Sequence, residues 1–149
     1  MHRFGVALGV SIGLVTGLIP GPVQILLAVV IAIPLRANVL AAAAATFYTN
    51  PFTFIPLYIL AYKIGSIFTG EPLSEIAPPD FSFSWLAPWQ VIPAMFEWFA
   101  SLGSTLLIGL AVQSTLFAVV GFFATMLIWR GIITIMWHTR HRRYQSKKS

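Results

Sequence analysis

The sequence predicts an all-α integral membrane protein of about four short or broken transmembrane helices. The first pair reads either as two short spans or as a re-entrant hairpin, and an external loop rich in proline and tryptophan divides the chain. Three observations carry this. The 149 residues are 58% hydrophobic and only 9% charged, whereas a soluble domain carries roughly 25% charged residues. Too little polar surface remains to coat a water-soluble fold. Uncharged runs at 4–35, 37–62 and 101–129 are each long enough to enter or cross a bilayer. Finally, prolines interrupt the first two runs near their middles, so the helices there must break or kink.

The first run has 32 uncharged residues, with Pro20-Gly21-Pro22 at its centre. Each half is about 15 residues, or ~22 Å of helix, short of a ~30 Å hydrocarbon core. Either arrangement of the pair returns the chain to the side on which it started. Gly5, Gly9, Gly13 and Gly17 recur every fourth residue, which lines them along one helix face and predicts close approach of another backbone. A signal peptide over 1–17 is the competing reading, and the absence of a small-x-small cleavage site argues against it.

Arg36 separates the first two runs and marks a membrane surface, on the cytoplasmic side by the positive-inside rule. The helix that follows starts near Asn38 and is small-residue-rich over 40–45. Pro51 and Pro56 predict a break between Thr49 and Pro56, whose freed backbone groups need partners inside the protein. Lys63, near the far end, is expected either to snorkel outward or to meet an interior polar group.

All four acidic residues, Glu71, Glu75, Asp80 and Glu97, lie with five prolines in the segment 70–100. That density of proline precludes a long helix and predicts an external loop. Trp85, Trp89 and Trp98 in its second half suit a membrane interface. The run 101–129 is the strongest transmembrane segment, and Arg140, Arg142, Arg143, Lys147 and Lys148 follow it. The organisation is therefore one polytopic membrane domain over 1–139 and a basic cytoplasmic tail over 140–149, with both termini cytoplasmic. The net charge of +5 resides mostly in that tail, which suits anionic lipid and, lacking any recognition motif, gives no sign of nucleic-acid binding.

Several spaced motifs occur in order: Gly9-x-x-x-Gly13-x-x-x-Gly17-x-x-Pro20-x-Pro22-x-Gln24, then Ala32-x-x-x-Arg36-x-Asn38. A third follows, Thr49-Asn50-Pro51-Phe52-Thr53-x-x-Pro56-x-Tyr58-x-x-Ala61-Tyr62-x-x-Gly65. Together they resemble the bacterial membrane proteins known as domain of unknown function 2062, closely over the first 70 residues and loosely around 103–109. The resemblance implies a small multi-pass protein of the bacterial inner membrane and carries over no established activity. Some relatives are joined to glycosyltransferase-like domains, which implies a link to envelope or lipid-linked sugar metabolism and an accessory role beside such an enzyme. Members often begin with a longer basic segment, from which Met1-His2-Arg3 departs.

Catalysis finds no support in the residues. The chain has no cysteine, and the inferred membrane region has no His, Asp or Glu. His2, His138 and His141 lie near the termini, so neither a metal site nor a cofactor is expected, and the hydroxyls of Thr46, Thr49 and Thr53 have no base in sequence reach. What remains is cationic and dipolar. Arg36, Asn38, Thr49, Asn50, Thr53, Tyr58 and Lys63 are the candidate substrate-binding residues, with Pro20, Gly21, Pro22, Pro51 and Pro56 as helix-breakers around them. Their convergence near a helix start would suit a phosphate or carboxylate, as at the broken helices of transporters. The expected function is binding or translocation of an anionic, lipid-linked envelope substrate. The rival is a structural or assembly protein. Self-association of so small a bundle is a further expectation.

Overall fold

The computed structural model describes residues 2–19, 21, 23–72, 97 and 100–146, with side chains left out at Pro51 and over 133–146. Pro20, Pro22 and the tryptophan-rich part of the external loop, Trp98 included, lie outside the described residues. Within them the fold is all helix: α1 (Arg3–Thr16), α2 (Val23–Ala32), α3 (Val39–Ala45), a 3-10 turn (Thr46–Tyr48), α4 (Pro51–Thr69) and α5 (Gly103–Ser146). Two helices, Phe52–Thr69 and Gly103–Ile132, are long and apolar enough to cross a membrane, while α1, α2 and the unit Val39–Tyr48 are shorter apolar helices.

The four-residue glycine repeat packs α1 against α3. A Cβ at Gly9 would meet the Ala41 methyl at 3.2 Å, one at Gly13 would press on the Ala45 methyl at 2.6 Å, and one at Gly17 would strike the Tyr48 ring at 2.6 Å. Because contacts advance together along both helices, α1 and α3 run parallel. The short α2 returns between them, burying Ala28 and Ala32 with Ile12 and Ala42. Asn38 N–H donates to the Gly5 carbonyl at 2.8 Å, so the α1–α2 hairpin does bring the chain back to its starting end.

The turn between α2 and α3 carries an unusual residue. Ala37 N–H bonds to the Ala32 carbonyl at 2.9 Å and Arg36 N–H to the Ile33 carbonyl at 3.0 Å, which is the Schellman pattern of a helix end. Its left-handed position, ordinarily glycine, is filled by Arg36 at φ 52°.

Proline does end the helix after Arg36, but one residue pair decides where. Asn50 is the N-cap of α4, accepting from Phe52 N–H at 2.9 Å and Thr53 N–H at 3.0 Å, while Thr53 Oγ1 accepts from Asn50 N–H at 2.9 Å. This reciprocal capping box, with Pro51 in the first turn, starts a helix well. Pro56, expected to contribute to the break, instead lies inside α4. The upstream cap already fixes the helix start, and the loss at Pro56 is confined to a partner for the Phe52 carbonyl.

The helix α5 runs antiparallel to α4 and then to α1. Near its start, Gly109 and Gly65 let the backbones of α5 and α4 touch, a Cβ at either being blocked by a carbonyl of the other helix, Ala61 or Thr105. Further along, Ser11 Oγ donates to the Ala118 carbonyl at 2.9 Å, and the rings of Phe4 and Phe122 meet edge to face at 5.5 Å. Thus α4 and α1 cover successive stretches of α5, and α1 stops where α4 begins. The hairpin reaches only part of the way along the bundle.

Candidate functional site

The end of α1 is where the hairpin tip and the broken helix meet. A helix end leaves carbonyls without partners, and those of α1 are taken up by side chains from the break. Tyr48 hydroxyl donates to the Leu14 carbonyl at 2.8 Å, Thr49 hydroxyl to the Gly17 carbonyl at 2.6 Å, and Tyr58 hydroxyl to the Leu18 carbonyl. From α2, the Gln24 amide nitrogen lies 3.0 Å from Thr49 Oγ1, 2.9 Å from the Gly17 carbonyl and 3.2 Å from that of Ile19 in the orientation that satisfies all three. Thr53 hydroxyl completes the set by donating to the Tyr48 carbonyl at 2.7 Å. These bonds tie three chain segments into one polar joint inside an apolar surround.

The seven candidate binding residues do not converge. Thr49, Asn50, Thr53 and Tyr58 gather at the joint, where the three hydroxyls and the Asn50 amide oxygen are committed to the backbone. Asn38 caps α3, accepting from Ala41 N–H at 2.8 Å, at the opposite end of α1. That helix has 14 residues, so Asn38 and the exposed Arg36 lie roughly 20 Å from the joint. Lys63 is exposed on α4, on the side away from the buried face of Phe54, Tyr58, Ala61 and Tyr62. A helix start with both cations beside it is therefore absent from the described geometry. The reason is topological: α1 and α3 run in parallel, so the turn carrying Arg36 and the break carrying Asn50 fall at opposite ends of the same helix pair.

Two further polar groups, one buried and one at the surface, take positions that the sequence pattern does not announce. Gln113 is 1% exposed, and neither its side-chain oxygen nor its nitrogen has a hydrogen-bond partner. On the same face of α5, Gly109 presses on α4 one turn before it, and Phe117 meets the Tyr48 ring at 5.9 Å one turn after. Gln113 thus lies at the level of the joint. Leaving a buried amide unpaired costs about 1–3 kcal/mol, so such a group calls for an explanation. The other is Glu71, expected in the external loop. Its carboxylate folds back onto the far end of the α4–α5 crossing, accepting from Thr105 hydroxyl at 2.6 Å and Tyr62 hydroxyl at 3.4 Å. Neither had a sequence signature, since each depends on residues distant in the chain.

Beside the joint, α1, α2 and α5 frame an apolar groove of about 230 Å³ lined by Ser11, Ile12, Val15, Thr16, Ile31 and Ala118. Among the described residues no group of three or more His, Cys, Asp or Glu side chains is placed to hold a metal ion.

The fold and joint define a class: an all-helical protein with two helices able to cross a membrane, a short helical hairpin packed against them, and an uncharged polar joint where hairpin and broken helix meet. Within that class the family is shown. The chain matches the model of the bacterial family described as uncharacterized protein conserved in bacteria, domain of unknown function 2062, over residues 1–138, and it belongs to that family. No curated protein and no solved structure matches it.

Proposed function

We propose that this is a multi-pass protein of the bacterial inner membrane, with both termini cytoplasmic, that binds or translocates an anionic, lipid-linked envelope substrate along a re-entrant hairpin. The observation that carries the proposal is the meeting of hairpin tip and helix break partway along α5. Tyr48 packs on Phe117, and Gly109 packs on Ala61, so the joint faces residues 109–117 of an apolar stretch that spans Gly103–Ile132. That stretch is roughly 45 Å long, whereas α1 extends roughly 21 Å. A hairpin of that length entering a ~30 Å core dips in and returns. Polar, irregular backbone at membrane depth is tolerated where it is enclosed by protein or lines a path.

Charge supports the orientation. Arg3 and Arg36 lie at the open end of the hairpin and Glu71 at the other end of α4, as the positive-inside rule arranges them. Exposed Arg36 receives the anionic headgroup at the cytoplasmic surface, the groove beside α1 accepts an acyl or isoprenoid chain, and the joint lies on the way across. A guanidinium holds phosphate by a two-pronged fork that lysine does not reproduce.

One observation favours the structural reading instead: Thr49, Asn50, Thr53 and Tyr58 all serve internal backbone, as they would in a rigid assembly protein. Reconstituted vesicles separate the two. Flux of a labelled lipid phosphate above that of empty vesicles, reduced in Arg36→Lys at equal insertion, is the expected result. No flux above the empty-vesicle rate overturns the transport reading in favour of the structural one.

A further inference from the structure

Gln113 has no role in the joint as bonded, and its position explains what it is free to do. Every other polar side chain described there has a partner within the fold: the hydroxyls of Tyr48, Thr49 and Tyr58 bond to carbonyls of α1, and the Gln24 amide bonds to the same tip. Among the described residues, Gln113 alone presents both a donor and an acceptor, buried, with neither used. Leucine occupies neighbouring core positions on α5, Leu106 among them, and would fill such a site without the desolvation penalty of an unpaired amide. A buried amide left unpaired by its own fold calls for a partner other than a side chain, either a water molecule or a ligand group.

The surroundings restrict what that partner is. Arg36 is a helix-length away, Lys63 faces outward, and Glu71 is engaged at the far end. No described carboxylate, lysine, arginine or histidine sits at the level of Gln113 to balance a charge, and an isolated ion in such an interior is heavily penalised. A neutral group that accepts and donates through one small atom satisfies both ends of an amide, and a hydroxyl does this. We propose that Gln113 binds an uncharged hydroxyl of an amphiphile, such as a glycerol or polyol headgroup, held beside the hairpin tip. The inference rests on the reading that the joint takes an amphiphilic ligand, and it adds the residue and the chemistry that would hold the ligand's neutral part.

The test uses the whole protein in phosphatidylcholine nanodiscs and reads the thermal unfolding midpoint. Three probes are compared: diacylglycerol, its methyl ether with the hydroxyl capped, and phosphatidic acid. Diacylglycerol should raise the midpoint saturably by several degrees in the parent, and the methyl ether should not. Gln113→Leu and Gln113→Met, which remove the amide with similar volume, should lose that shift. Without probe, both should unfold at or above the parent's midpoint. Equal shifts from diacylglycerol and its ether, an undiminished shift in both variants, or a lowered midpoint of both variants without probe would overturn the assignment. The two proposals fail separately. A phosphatidic acid shift that persists in Gln113→Leu but is lost in Arg36→Lys would overturn the hydroxyl site and support the anionic substrate. A diacylglycerol shift lost only in the Gln113 variants, with no response to phosphatidic acid, would do the reverse.

Discussion

The two halves of the bundle on either side of the joint use the same packing device on helices of different length, and their difference accounts for the architecture. In the hairpin half, glycines of α1 sit against alanines of α3 and the helices have 14, 10 and 7 residues. In the other half, Gly65 and Gly109 let α4 and α5 cross in backbone contact, but α4 has 19 residues and an aromatic core of Phe54, Tyr58 and Tyr62. Small residues let helices approach closely where surrounding lipid offers no hydrophobic drive. Length then decides which helices are able to cross a membrane, α4 and α5 but not those of the hairpin. The helix α4 has its own end caps, Asn50 and Gly70, whereas the end of the hairpin is closed by side chains of the break and of α4, Tyr48, Thr49 and Tyr58, together with Gln24. The hairpin's shape thus depends on the long pair more than the reverse.

Filling the two seams should separate the halves most strongly. Gly65→Leu and Gly109→Leu place a side chain where a carbonyl already lies, and each should cost about 3 kcal/mol or more, enough to remove most folded protein by detergent size-exclusion profile. Gly9→Leu and Gly13→Leu should also destabilise, yet leave α4 and α5 paired, as a disulfide between cysteines introduced in those two helices would report. Gly131→Ala has open space around it and should be silent. Loss of α4–α5 pairing in the hairpin variants would make the halves mutually dependent.

A smaller effect is expected from cutting the ties between the halves. Tyr58→Phe leaves the Leu18 carbonyl without its donor and should cost about 1–3 kcal/mol, whereas Thr49→Val leaves the Gly17 carbonyl to the Gln24 amide and should cost about 1 kcal/mol. The hairpin should loosen selectively, with faster hydrogen exchange over 14–19 and little change in α5. Asn50→Ala, which removes the cap of α4, should cost about 1 kcal/mol and raise exchange at the start of α4 instead. Uniform protection in Tyr58→Phe would mean that the hydroxyl bond does not hold the tip.

The sequence foresaw some of this better than the rest, for physical reasons. The Asn50-Pro51 break was legible because proline restricts the residue before it and asparagine is a good cap, both local effects. The four-residue glycine spacing similarly announced a close helix contact. The convergence of Arg36 with Asn50 did not materialise because direction is a property of topology, and no local pattern says that α1 and α3 run parallel. Pro56 does not break the helix, because the capping box at Asn50 fixes the start of α4 upstream of it. Gln113 stood unremarked in an uncharged run, since its burial depends on α4 and α1 meeting around it.

One substitution is expected to give a modest gain in stability. Arg36 holds φ 52°, where a non-glycine residue costs roughly 1–2 kcal/mol, so Arg36→Gly should stabilise the protein by about 1 kcal/mol in a denaturation assay. If the guanidinium receives substrate, the same variant should lose lipid-phosphate flux while gaining stability. A variant that gains stability and keeps full flux would show that Arg36 only ends α2.

The depth of the hairpin tip tests the account most directly. The chain has no cysteine, so a nitroxide attached at Ile19→Cys, compared with one at Arg3→Cys and one at Ser74→Cys, reports immersion through collision with oxygen and with a water-soluble nickel chelate. The account predicts Ile19 near the bilayer centre, favouring oxygen over nickel, with Arg3 and Ser74 accessible to nickel from opposite sides. A tip at Ile19 as accessible to nickel as Ser74, and from the same side, would show that α1 crosses the membrane fully and would contradict the re-entrant hairpin.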